Sequence, residues 1–142
     1  MINKLENMLN ILDNDDLGKL VLRLSVGLCL LLHGINKIMN HTGSMDYLAG
    51  ALAKVGMPSF IAYGVYVGEV IAPLMIIVGL LSRLGGVLIV VLMLFAILLV
   101  HAGDILSLNQ HGGWQLELQA FYLFGGLAIA FLGSGKYAVK PD

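Results

Sequence analysis

Five side chains in this sequence are of the types that carry protons or hold a polar ligand, and they fall within or beside apolar stretches: His33, Lys37, Glu69, His101 and Glu117. An ionisable group inside a bilayer costs at least about 2.5 kcal/mol, so each such residue points to a partner or to a function. His33 and Lys37 are four residues apart and share one helix face. Glu69 lies roughly 13 Å along its apolar stretch, at a depth where a carboxylate is either protonated or paired with a cation. Pro73 follows four residues later. It has no N–H to give the Glu69 carbonyl and favours a kink there. A carboxylate beside a freed carbonyl is one way for a membrane helix to build a polar pocket. In such a pocket imidazole and carboxylate can relay protons to a reducible carbonyl while an ammonium stabilises developing negative charge.

Each of these residues also has a plainer reading. Lys37 can snorkel to an interface, Pro73 can serve packing alone, and His101 and Glu117 can face water at a helix end. Trp114 reads as an interface-belt anchor, with contact to a ligand as the alternative. Arg23 and Arg83 read as topology anchors reaching phosphate headgroups. No metal site is expected, because Glu-x-x-His and His-x-x-x-His spacings are both missing. Cys29 is the only cysteine, so no disulfide or CxxC dithiol can form within the chain. No haem, flavin or iron–sulfur signature is visible either.

The elements that position these residues are written in the composition. Of the 142 residues, 58% are hydrophobic and 12% charged, with a mean hydropathy of +0.90, whereas a soluble domain carries about a quarter charged residues. Eight Lys and Arg against nine Asp and Glu offer no basic surface for nucleic acid. Four apolar stretches, at about residues 18–39, 60–82, 84–101 and 114–132, are close to the roughly 20 residues a membrane crossing needs. The expected fold is an all-α integral membrane four-helix bundle. Asp15 and Asp16 are placed to cap its first helix. Ahead of them Ile2, Leu5, Leu9 and Leu12 recur at helical spacing, which predicts a short interfacial helix. The organisation is then an amphipathic leader over 1–17, the membrane domain over 18–137 and a tail over 138–142.

Lys and Arg counts orient the bundle. Lys4, Lys19, Arg23, Arg83, Lys136 and Lys140 lie on the side of the termini against Lys37 and Lys54 on the other, which puts both termini in the cytoplasm. Residues 40–59 and 104–113 are expected as outer connections, and Ser82-Arg83 as a near-absent one between an antiparallel pair. Gly64 and Gly68 form a GxxxG pair and Gly125-Gly126 a second small-residue site, suited to helix packing within the chain or, for Gly64/Gly68, to a homodimer.

Taken in order, these residues resemble the DoxX family of small bacterial inner-membrane proteins. Leu22-Arg23-Leu24 and His33-Gly34-Ile35-Asn36-Lys37 match its opening, and Gly68-Glu69 its second helix. Gly79-Leu80-Leu81-Ser82-Arg83 matches its turn, His101 the end of its third helix, Gly113-Trp114-Gln115-Leu116-Glu117 the start of the last, and Gly133-Ser134-Gly135-Lys136 the exit. Ser134 stands where the pattern has proline, and the acidic leader lies outside it. The resemblance implies a small subunit of a membrane redox complex, quinone-linked and related to sulfur or oxidative-stress chemistry. Its ligand, a quinone or similar small apolar molecule, would lie in the outer half of the bundle, with electrons supplied by a protein partner. It also implies that His33, Lys37, Glu69, Arg83, His101 and Glu117 are the functional set. Two other classes remain open: a non-catalytic membrane adaptor for a partner protein, and a small-solute carrier with Glu69 as a proton-coupled site.

Overall fold

The computed structural model describes residues 1–142, and every regular element in it is helical. Helix α1 spans Ile2–Leu9 and runs into a single 3-10 turn; α2 spans Asp15–Met39, α3 His41–Lys54, α4 Ser59–Val78, α5 Ser82–Val100 and α6 Glu117–Leu132. Helices α2, α4 and α5 are long and apolar enough to cross a membrane, and the apolar α6 lies against α5. The chain is thus an all-α membrane bundle. Its core joins Val26 and Leu30 of α2, Ala72 and Ile76 of α4, Ile89 and Met93 of α5, and Tyr122 and Ile129 of α6. Outward-facing Leu28, Leu32, Leu98, Phe124 and Phe131 are exposed, as a lipid-facing surface requires.

Three details differ from the sequence expectation. Helix α2 is capped by Asn14, whose side chain accepts from the Leu17 N–H at 3.0 Å, while Asp15 and Asp16 occupy its first turn. The connection at 40–59 holds helix α3, whose Met45 and Leu52 pack on Ala62 and Val65 of α4. The last helix starts at Glu117, not 114, and its 16 residues cover roughly 24 Å. The glycines work inside the chain. A Cβ on Gly68 would lie 2.7 Å from the Leu92 side chain, and one on Gly86 would strike the Gly126 carbonyl, so α4, α5 and α6 approach closely through them. A Cβ on Gly64 would meet nothing within 4 Å.

Both chain ends lie at one end of the bundle, where the Lys136 N–H donates to Asp16 Oδ1 at 2.9 Å. The residues after α6 fold back over the α4–α5 turn. Val139 N–H donates to the Val78 carbonyl and Lys140 N–H to that of Gly79, both at 3.0 Å, and Asp142 accepts from the Arg83 N–H at 3.0 Å.

Arg23 lies beneath this strap and is 1% exposed. Its Nε donates to the Ile76 carbonyl at 2.8 Å and its Nη2 to Ile77 at 3.2 Å, while Nη1 donates to Ser134 at 2.9 Å and Tyr137 at 2.7 Å. The expected headgroup anchor is therefore an internal clamp. The reason lies in helix ends: the last four carbonyls of α4 have no helical donor, and a guanidinium fork supplies one. Arg83 does the same for α6, donating to Ala130 at 2.9 Å and Phe131 at 2.7 Å, but it stays exposed.

Candidate functional site

The site begins with an irregularity in α4. This helix is 3-10 over Ser59–Tyr63, α over Gly64–Tyr66, π over Val67–Ile71 and α again over Ala72–Val78. The wide turn is centred on Glu69, four residues before Pro73, where the sequence leaves a carbonyl without its donor. Gly34 of α2 packs directly on that carbonyl: a Cβ at position 34 would collide with the Glu69 oxygen. Only a residue without a side chain lets α2 come this close. The approach brings the Lys37 ammonium of α2 to Glu69, Nζ to Oε2 at 2.7 Å, with the two side chains 25% and 10% exposed.

This pair lies in the wall of a cavity of about 890 Å³ at the end of the bundle away from the termini. All of α2–α6 contribute to the lining, and 19 of its 30 residues are hydrophobic, so the space suits a mainly apolar molecule with a few polar groups. His33 lines it one turn from Lys37, its ring edge-on to Tyr122 with centroids 5.8 Å apart. His101 lines it from the end of α5. Its Nε2 is 3.4 Å from Gln119 Nε2 and its Nδ1 3.4 Å from Asp104 Oδ2.

Of the residues singled out in the sequence, His33, Lys37, Glu69 and His101 share this cavity, whereas Glu117 and Trp114 do not line it. Glu117 accepts from Asn109 Nδ2 at 3.2 Å, and Trp114 Nε1 donates to the Ile105 carbonyl at 2.7 Å. Both hold the 104–116 connection in shape. The Glu117 carboxylate, at the first turn of α6, lies beside the loop, one residue before Leu118, where the cavity wall begins. Helix α6 instead contributes Gln119 and Tyr122, which share a face at i, i+3. A glutamine inside an apolar helix was a readable signal, lost by sorting only ionisable residues. Helix α3 was missed as well and roofs the cavity with Ser44, Tyr47 and Leu48. Beside it, His41 Nδ1 lies 2.6 Å from the Tyr66 hydroxyl, which also donates to the Lys37 carbonyl at 3.3 Å. No group of three or more His, Cys, Asp or Glu side chains is placed to hold a metal ion.

Comparison with known proteins decides the family. The DoxX pattern matches residues 18–102. The chain belongs to the DoxX family. The match covers α2 to the end of α5 and so includes every cavity residue inferred from the sequence. A relative from Bacillus subtilis (strain 168), named "Putative oxidoreductase CatD", is 31% identical over 126 residues, covering 89% of this chain and 87% of its own length. No solved structure gives a significant match.

Proposed function

We propose that this DoxX-family chain is an inner-membrane subunit of a redox complex, and that its cavity binds a quinone or a similarly small apolar carbonyl compound. The observation that carries this reading is the Lys37–Glu69 pair, a neutralised ammonium and carboxylate set into a largely apolar wall beside His33. About 890 Å³ lies within the range of roughly 300–1,000 Å³ usual for small-molecule sites. The donors fit such a ligand: Lys37 and two imidazoles can meet carbonyl oxygens, while Leu92 and Phe95 cover an apolar ring.

When bound, a quinone supplies the chemistry of accepting electrons and protons. The chain's own residues do the rest. An ammonium uses one of its three donors on Glu69, and the others remain free to stabilise negative charge on a ligand oxygen. His33 holds a proton at an imidazole nitrogen within the same wall. Electrons arrive from a protein partner, in keeping with the name of the Bacillus subtilis relative. Six Lys and Arg at the end of the termini against two at the cavity end favour a cytoplasmic side for the termini.

Native mass spectrometry of the protein in mild detergent tests the reading. A quinone mass carried by the wild type and lost in His33→Ala supports it. A chain that carries no small molecule but retains a partner protein overturns it in favour of a membrane adaptor. One observation speaks for that second reading: Lys37 and Glu69 satisfy each other across α2 and α4, as a device for helix pairing would.

A further inference from the structure

The cavity has a second polar pole that the Lys37–Glu69 pair does not reach. His101 ends α5 with its side chain 34% exposed, and its two ring nitrogens face different surroundings. On one side is Asp104, 42% exposed and not part of the cavity lining. On the other is Gln119, which lines the cavity. A carboxylate can only accept, so Asp104 fixes the neutral imidazole with its proton on Nδ1. Nε2 then carries the lone pair and accepts from the Gln119 amide N–H. The Gln119 Oε1 is left buried without any partner, an unfavourable state.

That orphaned acceptor has a use. Once Nε2 gains a proton it can no longer accept from the amide, and turning the Gln119 amide over brings Oε1 to accept from it. Asp104 meanwhile balances the imidazolium charge. Both protonation states of His101 therefore have partners in place.

We propose that Asp104–His101–Gln119 is the port through which protons pass between water and the cavity, with His101 as the carrier and Asp104 and Gln119 as positioning residues. The proposal rests on the quinone reading above, whose ligand must gain or lose protons. The step moves one proton and no electrons. The imidazolium releases its Nε2 proton to the cavity and becomes the Nδ1–H form held by Asp104; the half-exposed ring then turns so that its bare Nε2 takes the next proton from water, and turns back. The ionisable groups facing the cavity from other elements are His33 and Lys37 on α2, Tyr47 on α3, Glu69 on α4 and Tyr122 on α6. Asp46 and Lys54 of α3 line a smaller gap against Leu99 and Val100, next to His101.

Two measurements on the full chain in lipid nanodiscs test this. Imidazole 15N NMR reads the tautomer and charge of His101 without a ligand. The expected result is an Nδ1–H neutral form that titrates with bulk pH, and in Asp104→Asn a shift of at least about threefold towards Nε2–H. An imidazole that does not titrate between about pH 4 and 9, or a tautomer unchanged in Asp104→Asn, overturns the port. The second measurement is the affinity of decylubiquinone from about pH 5 to 8, expected to fall about tenfold as His101 loses its charge, to stay flat in His101→Phe and to change less steeply in Gln119→Met. Binding with the same pH dependence in all three proteins also overturns the port. If decylubiquinone binds at no pH, the quinone reading falls, while the NMR result still decides the port.

Discussion

The two ends of this bundle meet the same difficulty, a cation at the edge of an apolar interior, in opposite ways. At the end of the termini, Arg23 donates to four backbone carbonyls and Arg83 to two, and the tail closes over both. The Arg23 fork spends its donors on backbone carbonyls, and the buried polar atom left without a partner at this end is the Ser82 hydroxyl, with no cavity beside it comparable to the one at the other end. At the cavity end, Lys37 is neutralised by a side chain instead, Glu69 sits in a widened turn, and Gln119 keeps an orphaned oxygen. A helix end saturated by a guanidinium is a structural knot. A helix interior widened by proline and neutralised by one ion pair keeps unspent hydrogen-bonding capacity beside empty space, which is what a ligand site needs.

Substitutions can break this contrast. The largest effect is expected at Arg23→Met, which leaves buried carbonyls of α4 and of the tail without donors. A loss of at least about 3 kcal/mol follows, seen as a collapse of the thermal transition in detergent whether or not ligand is present. Lys37→Met leaves Glu69 buried and unpaired and is expected to cost about 2–3 kcal/mol. The double variant Lys37→Met, Glu69→Leu recovers most of that stability but not ligand binding. Were the single variant as stable as the double one, the pair would not be coupled.

Smaller effects sharpen the comparison. Gly34→Ala forces α2 away from the Glu69 carbonyl, with an expected cost of about 1–3 kcal/mol and a weakened Lys37–Glu69 contact. Gly64→Ala, where a Cβ meets nothing, changes the melting transition by no more than about 0.5 kcal/mol. Equal melting temperatures for these two variants would contradict the close approach of α2 and α4. Glu117→Gln and Trp114→Phe loosen the 104–116 connection by about 1 kcal/mol each and leave ligand affinity within about twofold, which binding assays check.

Much of the cavity end was legible because its signals are local. His33 and Lys37 four apart, and Glu69 four before Pro73, are relations within one helix turn, and helical geometry converts them directly into a shared face and a freed carbonyl. That Glu117 and Trp114 stand outside the cavity lining was not legible for the complementary reason: where α6 begins depends on Trp114 meeting Ile105 and Asn109 meeting Glu117, contacts across a loop. Helix α3 escaped notice because its glycines and polar first turn read as a connection, although Met45, Leu48 and Leu52 recur at helical spacing.

By itself, then, the sequence determined the membrane class, the four long apolar stretches, the family and the irregular turn at Glu69, because each follows from composition or from neighbours within a few residues. Only the tertiary structure decided that Arg23 is a clamp and not an anchor, that Lys37 is the cation Glu69 requires, and that Gln119 lines the cavity while Glu117 does not. Those outcomes depend on which carbonyls, carboxylates and voids other helices bring into reach, and no spacing along one chain records that.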